Sequence, residues 1–233
     1  MAENKSFEQA EVLQLQMSEA GIALIGAQQE IVGQFAWGTA AKIDSQFWEK
    51  HQIIPAHRSQ IRVEIINPLF LLLPTEYDSA LYRIGFLEKA LGESSLLGHE
   101  IQEQAIHYLK SNLLFLVPST WKDYLAIHFP LAQIEFRHVM AEHLEKSNTQ
   151  KSQHLSIRLH QNLAYVALYK NYTLQVNNVF EYQSGIELAF YLHSIREAFD
   201  FPWDTQRIQI TGPESTNEHL LAELQEYHIS FAS

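Results

Sequence analysis

Cysteine is absent from the 233 residues, which excludes disulfides, thiolate metal sites and a cysteine nucleophile and suits a reducing compartment. Clusters of lysine and arginine are missing as well. Sixteen basic residues stand against 27 acidic ones, a formal net charge of -11. Such a chain has little with which to release the counterions of a nucleic-acid backbone or an anionic membrane surface, so neither nucleic acid nor direct membrane insertion is expected. No apolar run approaches the roughly 18 residues of a membrane span. The opening MAENKSFEQAEV carries charges and amides where a secretory signal would be apolar, so the expected setting is the cytoplasm. A Gly-rich Walker loop, a G-x-G-x-x-G dinucleotide fingerprint and a G-x-S-x-G nucleophile elbow are all lacking.

Core material is plentiful: 46% of the residues are apolar and 12% aromatic, which excludes a disordered chain. The length fits one large domain or two small ones. Leu13, Leu15 and Met17 alternate with Gln14, Gln16 and Ser18, the period of a half-buried strand. A polar turn at Ser18 and Glu19 leads into GIALIGA, and Gln28 and Gln29 turn again before EIVGQFAW. Three strands joined by tight turns predict an antiparallel meander.

The same grammar returns near residue 154. Leu155, Ile157 and Leu159 alternate with Ser156, Arg158 and His160; Gln161 and Asn162 turn; LAYVALY follows; Lys170 and Asn171 turn; then Tyr172, Leu174 and Val176 alternate with polar neighbours. Leu13, Leu15 and Met17 match Leu155, Ile157 and Leu159 at one constant offset. Such internal repetition predicts two related halves.

After the second meander, Ser184 and Glu187 stand at capping-box spacing, and Leu188, Leu192, Ile195 and Phe199 form one helical stripe. FPWD breaks that helix. RIQITG reads as a strand, STNEHLLAELQEYH as a helix boxed by Ser215 and Glu218 and buried through Leu220, Leu221 and Leu224, and HISFA as a short final piece. In the first half a helical piece near Ile43 to Trp48 precedes strands at IRVEII and LFLLLP. The spacing then predicts a helix from Thr75 to Leu91 that buries Tyr77, Leu81, Ile84 and Leu91 and stops at Gly92. IQEQAIHYL and NLLFLV read as strands, Pro118 to His128 as a helix, and AQIEFRHVMAEHLEK as a strand entering a helix or as a helix throughout. LLLPTEYDSAL and FLVPSTWKDYL echo each other because two successive strand-to-helix corners each need a proline. The run EKSNTQKSQ, residues 145–153, holds no apolar residue and is the best boundary.

Three antiparallel strands followed by helix, strand, helix and strand, twice in one chain, resemble the duplicated ribonuclease-H-like arrangement of the actin-like ATPases. LFLLLP, NLLFLVP, AQIEFRH and VFEYQSGIELAFYLHSIREAFDFPWDTQRIQITG are similar to an uncharacterised bacterial family, domain-of-unknown-function family 3822. The shape is also related to PilM, a pilus-assembly member of the actin-like group that holds a partner peptide. The resemblance implies an α/β fold of two ribonuclease-H-like subdomains in an actin-like ATPase arrangement. Residues 1–148 would form the first, with extra strands and helices, and residues 149–233 the second. Each would be a mixed sheet with a three-strand meander and flanking helices. No established activity comes with the resemblance.

The resemblance further implies that nucleotide phosphates would be gripped by the first hairpin turn of each half. There an acidic residue organises magnesium and water, and a nearby glycine lets backbone amides close on phosphate. The turns here are QMSEAG and HQNLA. The second has neither an aspartate nor a glycine, and the first has Glu19 and Gly21 out of the family's order. Where a pair of glycines would pass under adenosine, ITGPES keeps only Gly212, and Pro213 removes an amide donor. The expectation is a degenerate cleft with no catalytic residue and no required cofactor. The first functional reading is a non-catalytic scaffold that binds a protein or peptide between its halves. The alternative is a nucleotide or small-molecule binder, a weak ATPase or none, whose site is lined by Ser18, Glu19, His160, Gln161, Thr211 and Gly212. A third reading puts the binding surface elsewhere.

Twelve histidines invite a metal site, above all His138 and His143 beside Glu142. Five residues apart on a helix, however, the two imidazoles fall on different faces and no HExxH pattern is present, so these histidines read as surface or hydrogen-bonded spacers. The aromatics from Tyr165 to Phe201 read chiefly as core. Trp203, in a loop between Asp200 and Asp204, is the exception.

Overall fold

The computed structural model describes residues 12–28, 30–37, 41–148, 153–201, 207–229 and 231. The chain forms two compact units, Met1–Ala141 and Glu142–Ser233. In the first, β1 (Leu13–Ser18), β2 (Gly21–Ile25) and β3 (Ile31–Ala36) make the predicted meander, and α1 (Ala41–Lys50) follows. β4 (Gln60–Ile65) lies parallel to β1, and β8 (Gln133–His138) lies parallel to β4, giving the sheet order β3-β2-β1-β4-β8. Alternation does what its period requires: Leu13, Leu15 and Met17 are all buried. The helix α4 (Val139–Ser147) runs on from β8 and crosses into the second unit.

Between β4 and α3 (Ser119–His128) the chain builds a second, three-stranded antiparallel sheet. It consists of β5 (Phe70–Pro74), β6 (His99–Ile106) and β7 (Ser111–Pro118) in the order β5-β7-β6. The two echoing stretches are therefore not successive strands of the main α/β layer. They are antiparallel partners, Phe70 opposite Phe115 and Leu72 opposite Leu113. Pro118 does lead straight into α3, whereas Pro74 leads into turns closed by Tyr77 N–H to the Pro74 carbonyl and Asp78 N–H to that of Thr75.

Those turns delay α2, which spans Ala80–Leu91 and ends at Gly92 with φ +87°. The predicted apolar face holds only at its end, where Leu91 is partly buried against the same cluster as Leu87. Tyr77, Leu81 and Ile84 are 56%, 80% and 53% exposed, and Leu87 is the helix residue that is buried, against Leu73, Leu114 and Leu116. A periodic stripe shows that a helix can pack, but the phase is set by the narrow sheet beneath it, which reaches Leu87 and, one turn on, Leu91. Leu87→Ala is expected to cost about 2–4 kcal/mol and Leu81→Ala less than about 0.5 kcal/mol, measured by urea unfolding. Equal costs would contradict this packing.

In the second unit β9 (Gln153–His160), β10 (Leu163–Lys170) and β11 (Thr173–Glu181) form the second meander, and β12 (Ile208–Thr211) lies parallel to β9. The order is β11-β10-β9-β12. One register serves both units: Leu13 pairs with Ile61 and Leu15 with Val63, as Leu155 pairs with Ile208 and Ile157 with Ile210. Helix α5 (Gly185–Phe199) buries Leu188, Leu192 and Ile195, and α6 (Glu218–Glu226) buries Leu220 and Leu224 on the same core as Leu155, Ile157 and Leu159.

Three local expectations for this unit need correction. The β10–β11 turn is Asn171–Tyr172, with φ +53° and +61°, the left-handed pair that a two-residue hairpin loop demands. Tyr172 is thus a turn residue. Asn217, not Ser215, caps α6 through its Oδ1 on the Leu220 amide, while Ser215 sits in a 3₁₀ turn at Pro213–Thr216. Within HISFA, Ile229 is buried in the core, and no strand is assigned among its described residues. The Ser184 cap holds, its hydroxyl accepting from the Glu187 amide. Trp203, Gln29 and residues 149–152 lie outside the described residues.

Candidate functional site

The six candidate residues divide between two corners, each at the first hairpin of its unit. Ser18 closes β1 opposite Gly21, and His160 closes β9 opposite Leu163. Glu19 and Ala20 are therefore the counterparts of Gln161 and Asn162.

In the first corner Glu19 is exposed. The Ser18 Oγ accepts from the Ala20 amide at 3.3 Å, and the Trp37 indole N–H donates to the Ser18 carbonyl at 2.6 Å. Trp37 stacks on Trp121 at 5.7 Å and meets Tyr124 edge-on. Gly21 is required here, because a Cβ would run into the Phe35 carbonyl. This corner serves strand packing. It does not present a glycine beside an acid.

The second corner does gather its four residues. Thr211 pairs with Arg158 at the end of β12, and its hydroxyl donates to the Ile157 carbonyl. Gly212 has φ +101°, and a Cβ there would strike the Leu159 carbonyl oxygen. That close approach lets the following turn bring Glu214 to the hairpin. Its Oε1 accepts from the Gln161 amide at 2.5 Å, while the Tyr182 hydroxyl donates to the Gln161 carbonyl at 3.0 Å. Burial, with the Glu214 charge, pushes the Tyr182 hydroxyl up to about 12. Gln161 itself is held at φ +55°, a region that costs a non-glycine residue on the order of 1–2 kcal/mol.

The amide that the resemblance assigns to phosphate is thus bonded to a carboxylate of the same chain. A phosphate charge roughly 4 Å from that carboxylate would meet a repulsion of about 4 kcal/mol at an effective dielectric near 20. Sequence reasoning missed Glu214 and Tyr182. The first was within the quoted ITGPES, but its contact spans 53 residues and leaves no local pattern.

His160 is 5% exposed, and neither ring nitrogen has a hydrogen-bond partner. Burial, assisted by Arg158, pushes it down to about 4. The two histidines weighed as metal ligands have other commitments. At His138, Nδ1 accepts from the Met140 amide at 3.1 Å, so Nε2–H donates to the Asn67 carbonyl at 3.1 Å. His143 donates to the Ser156 carbonyl at 3.2 Å. Glu142 is paired with Arg158 at 2.5 Å and Lys146 at 2.6 Å. Among the described residues no three potential ligands converge on a metal position. A cavity of about 790 Å³ at the far end of α5 is lined by Lys170, Arg196, Glu197 and Asp200 among others. Its lining carries charges of both signs and no serine, threonine or cysteine that could act as a nucleophile.

Sheets of order 3-2-1-4, antiparallel through the meander and parallel beyond it, recur in both units, and they define an actin-like fold. A solved protein of unknown function from Bacteroides thetaiotaomicron, described as having an actin-like ATPase fold, is similar over 94% of this chain and 89% of its own, with a TM-score of 0.71 and 13% identity. The PilM–PilN type IV pilus biogenesis complex contains a chain similar over 94% of this one and 86% of its own, with a TM-score of 0.54 and 9% identity. The chain itself belongs to the family described as "Protein of unknown function (DUF3822)", whose model matches residues 29–231. No curated protein matches its sequence. No helix among the described residues is long and apolar enough to cross a membrane.

Proposed function

We propose that this chain is a non-catalytic actin-like scaffold that works by binding a protein or peptide instead of by turning over nucleotide. The observation that carries the reading is the Gln161 amide engaged by the Glu214 carboxylate, an anion on the amide that the resemblance to actin-like ATPases would give to phosphate. The first corner supports it in a different way, through a strand end capped by Trp37 and a turn amide shared with Ser18. The complex of PilM with PilN is a precedent for a protein of this fold acting through a partner. We place the scaffold in the cytoplasm, where a chain without cysteine is at home.

Thermal unfolding with and without millimolar ATP and magnesium tests the reading. A ligand at about 100 times its Kd adds roughly 2.7 kcal/mol, worth on the order of 5 °C for a chain of this size. The expected shift is none. A saturable rise of several degrees would sink the proposal in favour of a nucleotide-binding protein.

A further inference from the structure

Among the described residues each sheet ends on an edge strand on either side, and proteins usually blunt such edges. Most edges here are blunted. β8 carries Glu135 and Arg137, β6 carries Glu100 and Glu103, β5 ends in Pro74, β12 is four residues long, and β3 contains Gly33 and a register shift. β11 differs. It has nine residues, no proline and a single charge, Glu181, at its last position. Beyond one bulge near its start, Val176 through Glu181 stay in unbroken register with Leu168 through Leu163.

The register also shows which groups face outward. The Tyr182 amide donates inward to the Asn162 carbonyl at 2.8 Å, so by alternation the amides and carbonyls of Glu181, Val179 and Asn177 point away from β10. The Val179 amide is met there by the Asn178 side chain at 2.9 Å, a flexible group that an incoming carbonyl can replace. Beside this edge lies an aromatic step. Phe180 stacks on Tyr191 at 4.9 Å, Tyr191 meets Phe190 at 6.0 Å, and Phe190 and Ile186 are 67% and 50% exposed. The step is flanked by acid, with Glu187 accepting the Tyr191 hydroxyl and Glu181 closing the strand.

We propose that the open edge of β11 receives an extended peptide segment of a partner protein, added as a fifth strand to the β11-β10-β9-β12 sheet. An extended backbone answers the row of outward amides and carbonyls. Apolar side chains at alternate positions answer Phe180 and Phe190, and a lysine or arginine answers Glu181 and Glu187. A second copy of this chain is the poorer occupant, since it would bring the same carboxylates and a further net charge of -11 to the contact. The proposal rests on the partner-binding reading above and assigns that reading a place.

The test is to pan phage-displayed random dodecamers on the intact chain and measure the selected peptides by fluorescence anisotropy. Val179→Pro removes an amide that faces away from β10, a substitution edge strands tolerate, and Phe190→Glu alters an exposed ring. The expected peptides alternate apolar residues, carry Lys or Arg and lack proline. Each substitution should weaken them at least tenfold, and binding should protect the Val179 and Glu181 amides from hydrogen exchange. If Val179→Pro melts early, Phe190→Glu and the exchange pattern decide. Peptides that bind with affinities untouched by both changes would overturn the edge site while leaving the scaffold reading intact. No enrichment at all, or a concentration-dependent dimer abolished by Val179→Pro, would also overturn it, while the ATP titration judges the scaffold reading separately.

Discussion

Lowering the pH from 7.5 to 5 is expected to strip several kcal/mol from this protein's stability, well above the pH at which ordinary carboxylates protonate. Burial pushes His138 down to about 3 and His143 and His160 to about 4, whereas in the unfolded chain each titrates near 6.5. Between those values the unfolded state binds more protons, so stability is full above roughly pH 6.5 and falls as the pH drops toward the folded values. Each histidine contributes about 1.4 kcal/mol per pH unit across that window, or roughly 2 kcal/mol at pH 5. The second unit, with His143 and His160, should therefore lose about twice what the first loses through His138. His160→Leu should remove part of the effect and, because that imidazole has no hydrogen-bond partner to lose, should stabilise the protein at neutral pH by about 1 kcal/mol. Urea midpoints at the two pH values, for both proteins, check each statement. Midpoints that do not move with pH would show that these rings are not held neutral.

Gly212→Ala is expected to be among the most damaging single changes in the second unit. The residue combines φ +101° with a Cβ position inside the Leu159 carbonyl, so the substitution strains the backbone and forces β9 and β12 apart at once. A cost of at least about 3 kcal/mol follows, which for a unit of fewer than 100 residues is on the order of 12 °C or more in its melting transition. Gly85→Ala is the contrasting change. It lies mid-helix in α2, where an added Cβ meets nothing within 4 Å, and helix propensity predicts a gain of about 1 kcal/mol. Calorimetry on the two variants should show shifts of opposite sign. A mild effect at Gly212 would mean that the turn carrying Glu214 is not pinned to the hairpin.

The backbone plan was legible wherever a pattern has a period. Alternation located β1 and β9, and a single offset between them pointed to two related halves. The parallel pairing of Leu13 with Ile61 and of Leu155 with Ile208 was not legible, because it joins strands far apart in the chain. The caps at Ser184 and Gly92 were legible because capping is chemistry within one turn. What escaped was whatever depends on residues distant in the chain. Continuous apolar runs such as LFLLLP mark a buried strand without saying which sheet buries it, so the separate β5-β7-β6 sheet was invisible. The phase of α2 was set by that sheet, and Leu87 gave no sign of outranking Leu81. The candidate corners were located through the resemblance to actin-like ATPases, but the contact that decides their chemistry, Glu214 to Gln161, joins two turns linked by Gly212's close approach to β9.

That contact can be examined directly through the backbone amide of Gln161, together with that of Ala20, in ¹H–¹⁵N correlation spectra as ATP with magnesium is raised to several millimolar. An amide already bonded to the chain's own carboxylate should keep its chemical shift throughout, and Ala20 should do the same. A saturable displacement of both resonances would mean that phosphate takes the place of Glu214, and the protein would then be a nucleotide binder.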